Sequence, residues 1–122
     1  MFELLPAEAR LLLNVALMAT GQNRFQSATK ILAALERFRP GNESLAVAKV
    51  VLMISMHEFG LAVEFIDEVA LVAHPGSAML LAFRGMALMR MDRREEATGS
   101  LLVAAAATDV AAANLAKGLL AS

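Results

Sequence analysis

His57 and His74 are the only histidines in this 122-residue chain, which contains no cysteine. Imidazoles can ligate metals or move protons near neutral pH. Both fall at expected turns between helices, and neither has a second ligand at metal-site spacing. A solvated or capping role accounts for each. Glu64, Asp67 and Glu68 are spaced so that they share one side of a helix, which could suggest paired carboxylates. With no histidine among them, a solvated face is the better account. No phosphate-binding glycine loop, dinucleotide glycine pattern or H-E-x-x-H is present. The expectation is therefore no catalytic residue, no metal ligand and no cofactor.

The elements that would position any site must come from an unusually apolar chain. It is 58% hydrophobic and 19% charged, with 11 Lys and Arg against 12 Asp and Glu, a formal charge of −1. That balance supplies no basic field to hold nucleic acid. Trp and Tyr are absent. Mean hydropathy is +0.59, yet a membrane-crossing helix needs about 18 consecutive apolar residues. The longest apolar run covers only 101–107, and Arg84, Arg90, Arg93 and Arg94 interrupt the other rich stretch. Met1-Phe2-Glu3 lacks the basic start of a signal peptide. A cytoplasmic protein with no membrane insertion is expected.

Proline and glycine punctuate the chain. Pro6 suits a first helical turn, and Arg39-Pro40-Gly41-Asn42 and His74-Pro75-Gly76-Ser77 are turn signals. Asn42 and Ser77 can cap the helices that follow. Shorter breaks fall at Gly21-Gln22-Asn23, Met56-His57-Glu58-Phe59-Gly60 and Asp92-Arg93-Arg94-Glu95. Asn23 with Gln26, and Asp92 with Glu95, resemble capping boxes. Ala, Leu, Met, Glu and Arg between the breaks favour helix. Nothing alternates with period two. The fold class is all-α, with helices near 6–20, 24–38, 43–56, 60–73, 78–91, 93–107 and 110–121.

Arg24-Phe25-Gln26-Ser27-Ala28 returns 34 residues later as Glu58-Phe59-Gly60-Leu61-Ala62. Arg93-Arg94-Glu95-Glu96-Ala97 follows after 35 more. A 34-residue helix–turn–helix period is that of the tetratricopeptide repeat. Small residues of its first helix are matched by Ala16 and Gly85, more loosely by Val50. Those opening its second helix are matched by Ala28, Ala62 and Ala97, and the preceding aromatic by Phe25 and Phe59 but not Arg94. Its closing proline is matched by Pro40, by Pro75 one residue displaced, and not by Asp109. Leu12 and Ala19 stand where its signature aromatics belong. The expected architecture is one domain over 1–122, with three degenerate tetratricopeptide-like repeats at about 8–41, 42–76 and 77–109. A capping helix at 110–121 would cover the last apolar face. An ordinary all-α bundle with evenly spaced breaks is the alternative.

The resemblance implies a concave groove lined by the first helix of each repeat. Its groove-facing positions correspond to Leu13 and Leu17, then Val47, Val51 and Ile54, then Met79, Ala82, Met86 and Met89. Only Asn14, Arg10 and Arg90 add polarity nearby. Methionine is polarizable and recurs at adaptable binding surfaces. These residues could equally pack inside. The apolar excess favours a cradle for an amphipathic helix or an extended apolar segment.

The chain also resembles the small tetratricopeptide-like chaperones of bacterial type III secretion systems. Glu8-Ala9-Arg10-Leu11-Leu12-Leu13-Asn14, Thr20-Gly21-Gln22, Ile31-Leu32-Ala33-Ala34-Leu35 and Arg90-Met91-Asp92-Arg93-Arg94-Glu95-Glu96-Ala97 carry that resemblance. It implies a cytoplasmic chaperone for a small helical export substrate, either the needle subunit or a small early secreted component. A second small co-chaperone can accompany such clients. A hetero-oligomer is implied with the client, and a homodimer alone. The other reading is a tetratricopeptide scaffold joining two proteins or pairing with itself.

Overall fold

The computed structural model describes residues 6–122, so the expectation about Met1-Phe2-Glu3 lies outside the described residues. The described residues form seven helices and no strand. They are α1 (Ala7–Gly21), α2 (Phe25–Phe38), α3 (Glu43–Ser55), α4 (59–73), α5 (Ala78–Arg90), α6 (Arg94–Ala105) and α7 (Val110–Leu120). Helix α4 changes character along its length. Phe59–Phe65 is α-helical, Ile66–Ala70 forms a π turn, and Leu71–Ala73 returns to α. Every expected helix is present.

The chain divides into two compact units, Met1–His57 and Glu58–Ser122. In the first, α1, α2 and α3 all pack against one another. Its core is made of alanine and leucine: Ala9, Leu13, Ala16 and Ala19 of α1, Ala28, Leu32 and Leu35 of α2, and Leu45, Ala48 and Leu52 of α3. Alanines at the contacts let helix backbones come close, and each buried leucine contributes about 1.5–3 kcal/mol.

In the second unit α5 packs against α4, α6 and α7. Ala82, Leu101, Ala104 and Ala116 form a cluster there, and Ile66, Leu80 and Leu88 are fully buried. Gly85 allows the closest approach: a Cβ at this position would lie 2.5 Å from Leu101 Cγ and Cδ2. Arg84 of α5 reaches two other helices. Its Nε donates to Asp67 Oδ1 at 2.7 Å, its second terminal nitrogen to Asp67 Oδ2 at 3.3 Å, and its first to Ser100 Oγ.

Helix ends follow the side chains available. Asn42 Oδ1 accepts from Leu45 N and Ser77 Oγ from Leu80 N, both at 3.3 Å, as the sequence suggested. Asp109 Oδ1 accepts from Ala112 N at 3.1 Å.

Asn23 and Asp92 do not cap the helices that follow them. Each is in the left-handed region, with φ of 61° and 60°, and closes the preceding helix. The Asn23 N–H donates to Thr20 O and the Arg24 N–H to Ala19 O. Likewise the Asp92 N–H donates to Met89 O and the Arg93 N–H to Leu88 O. This satisfies the last carbonyls of α1 and α5. His57, with φ 62°, closes α3 in the same way, its N–H donating to Ile54 O at 3.0 Å. The N-cap residues of α2 and α6 are Arg24 and Arg93, which make no side-chain cap bond. Glu96, not Glu95, pairs with an arginine at this turn, accepting from Arg93 at 2.8 and 2.7 Å.

Candidate functional site

Of the nine residues expected to line a groove, five lie in the first unit and four in the second. Leu13 and Ala82 are buried. Leu13 belongs to the core of the first unit. Ala82 is 0% exposed against Leu101, Ala104 and Ala116. The burial of both has one cause. α1 and α5 carry apolar residues on several faces, so spacing alone leaves their inward face one position uncertain.

The remaining seven keep some surface. Leu17 is exposed on α1, and Val47, Val51 and Ile54 are half-buried on α3. On α5, Met79, Met86 and Met89 are half-buried, with Met89 packed beside the second unit's cluster. Met79 and Met86 are seven residues apart, which puts them two turns apart on one face. Asn14, Arg10 and Arg90 are exposed, and the Arg90 guanidinium lies 5.9 Å from the centre of the Phe59 ring.

Two small cavities in the first unit were not foreseen. One, of about 260 Å³, is lined by Pro6, Glu8, Ala9 and Leu12 of the chain's start and by Ala34, Leu35 and Phe38 of α2. The other, of about 320 Å³, has Leu32, Ala33, Leu45 and Leu52 as walls, with Thr29, Glu36 and Lys49. Glu36 also accepts from the Gly41 N–H at 3.1 Å. Such walls suit alkyl or aromatic side chains better than charged ligands.

The residues first considered for chemistry take structural positions. His57 is exposed and occupies the left-handed turn position. His74 is half-buried, and its carbonyl accepts from Ser77 N at 3.1 Å. Glu64, Asp67 and Glu68 are all exposed, as a solvated face requires, and Asp67 also pairs with Arg84. Among the described residues no group of three or more His, Cys, Asp or Glu could hold a metal ion. No helix among them is long and apolar enough to cross a membrane. At the exposed turn before α6, the hydrogen bond from Arg93 holds the Glu96 carboxyl below the usual range. The same bond raises Arg93.

What the sequence reading missed is the outer face of α1. Leu11 is 65% exposed, Met18 63%, Leu12 47% and Val15 44%. Leu11, Val15 and Met18 stand at i, i+4 and i+7, a stripe opposite the buried Ala9, Leu13, Ala16 and Thr20. The spacing itself was a signal, but the groove-facing assignment drew attention to Leu13 and Leu17 instead.

Compared with known proteins, this chain matches no family model, no curated protein and no solved structure.

Proposed function

We propose that this chain is a tetratricopeptide-like binding protein, and that it acts in the cytoplasm as a chaperone of a bacterial type III secretion system. The observation that carries the repeat reading is the recurrence of one turn. Asn23, His57 and Asp92 are left-handed non-glycine residues separated by 34 and then 35 positions. The residues after them have closely similar backbones: Arg24 at φ −92°, ψ 66°, Glu58 at −93°, 60°, and Arg93 at −102°, 66°. The small residues keep the same period, with Ala16, Val50 and Gly85 buried, and Ala28, Ala62 and Ala97 at most 1% exposed. The longer second interval contains the π turn at Ile66–Ala70, which takes up an extra residue.

Apolar surface supports the binding role. Leu17, Val47, Val51 and Ile54 in one unit, and Met79, Met86 and Met89 in the other, are the positions assigned to the client. A secreted helical subunit polymerises through its own apolar stripe, and covering that stripe keeps it monomeric. Binding the folded client stabilises both partners by mass action.

Co-expression with small helical export subunits, followed by size-exclusion chromatography with light scattering, tests this. A one-to-one complex with a raised melting temperature is expected. Met86→Glu should abolish the complex while the free protein keeps its helical circular dichroism. Failure of every such subunit to form a complex would overturn the chaperone reading.

A further inference from the structure

We infer that Met79 and Met86 form a redox-sensitive face on α5, where oxidation of the two thioethers to sulfoxides turns off apolar binding and leaves the fold intact. The argument starts from where this chain keeps its methionines. It has 8, and all but Met1 lie in the described residues, where none is buried. Methionine is ordinarily among the residues most often found fully inside. Here the buried apolar residues are alanine, leucine, valine and isoleucine throughout. Every described methionine keeps some surface, and the packing beneath is aliphatic and inert to oxidants.

Composition narrows the chemistry further. The chain has no Cys, Trp or Tyr, which leaves the thioethers as its readiest targets for a peroxide. A sulfur lone pair attacks one oxygen of hydrogen peroxide, and the O–O bond breaks. The sulfur gives up two electrons and becomes a sulfoxide, while the second oxygen takes up a proton and leaves as water. The product is a polar, chiral side chain that methionine sulfoxide reductases return to the thioether. The change is reversible.

Placement decides which methionines matter. The client positions on α1 and α3, Leu17, Val47, Val51 and Ile54, are aliphatic and do not react. Those on α5 that keep surface, Met79, Met86 and Met89, are all thioethers. Met89 packs against the cluster of Ala82, Leu101, Ala104 and Ala116. Met79 and Met86 share one face two turns apart, so an oxygen on each sulfur sets two polar groups in line along it. An apolar partner covering them would strip their hydration and return no hydrogen bond. This rests on the binding role proposed above and adds the regulation of that site.

The test treats the full chain with hydrogen peroxide and locates the added oxygens by peptide mass spectrometry. Binding is read with a synthetic amphipathic helical peptide of leucine and lysine. Met79 and Met86 should each gain one oxygen, and circular dichroism should stay helical. The peptide should then bind about tenfold more weakly, and sulfoxide reductases should restore it. Met79→Leu combined with Met86→Leu should bind as the natural chain does and keep binding after peroxide. Met18, 63% exposed, gauges the extent of reaction. Met79 and Met86 unoxidised when Met18 is fully converted, loss of the helical signal, or undiminished binding after oxidation would each overturn the inference. So would an equal loss of binding in the leucine variant. An untreated protein that binds no such peptide would instead remove the binding role, and the inference with it.

Discussion

Leu101 occupies the space that a side chain on Gly85 would need. An added Cβ would meet two Leu101 carbons at 2.5 Å and the Ala97 carbonyl oxygen at 3.3 Å. Both atoms at 2.5 Å belong to a side chain that is itself 1% exposed, with little room to retreat. Gly85→Ala should therefore destabilise the protein by about 1–3 kcal/mol through overpacking, despite alanine's better helix propensity. Denaturant melts decide between the two effects. A more stable variant would mean that α5 and α6 can move apart at no cost.

Ala62 makes the corresponding test on α4, being 0% exposed on the helix that packs against α5. Ala62→Leu adds three carbons to a filled contact and should also cost about 1–3 kcal/mol. A neutral thermal melt would place Ala62 outside the helix contact.

The turn at Asn23 can be probed through its backbone alone, since the residue is exposed at φ 61°. Asn23→Val puts a β-branched residue where left-handed geometry is costly and should destabilise by about 1–2 kcal/mol. Asn23→Gly should be neutral or slightly stabilising. Equal losses in the two variants would show that the Asn23 side chain, not its conformation, matters.

Asp67, Arg84 and Ser100 link three helices, with Arg84 about a fifth exposed and Asp67 41%. A double-mutant cycle on Asp67→Asn and Arg84→Gln should give a coupling of about 0.5–1 kcal/mol that shrinks in 1 M salt. Ser100→Ala should cost about 1 kcal/mol by leaving one donor of Arg84 without its acceptor.

Glu96 gives a pH signature. Its hydrogen bond with Arg93 lowers its pKa, so the native state binds this proton more weakly than the unfolded chain does. The stabilisation is therefore complete above the ordinary glutamate midpoint, near 4.3, and lost as pH falls through the lowered one. An NMR titration should find the Glu96 midpoint below that of an ordinary glutamate. In Arg93→Gln it should return upward.

Much of this fold was legible because its punctuation is chemical. Proline, glycine and the caps Asn42 and Ser77 mark where helices cannot continue or where they can begin. Asn23 and Asp92 were misread because Asn and Asp serve two purposes: their side chains cap helix starts, and they tolerate left-handed geometry at helix ends. One residue type at one break does not say which. The candidate surface was harder to read. On α1, apolar side chains occupy both the inner face, at Leu13 and Ala16, and the outer, at Leu11 and Met18. A period locates a stripe, but only packing against α2 and α3 decides which stripe is buried. The commitment of Arg84 to Asp67 and Ser100 joins residues 17 and 16 positions apart, separations no local pattern reveals.

The π turn in α4 has a consequence for how this chain can change its length. Deleting a residue from a regular helix rotates everything beyond it by about 100° and turns a buried face outward. At Ile66–Ala70 the ladder already holds one residue more than an α-turn requires. Removing an exposed one there, such as Val69, relaxes the bulge to ordinary helix and leaves Ala62 and Ser77 in their phases. The shortened α4 would have the fourteen residues of α2. A one-residue deletion at this turn should thus be tolerated, and one a turn to either side should not.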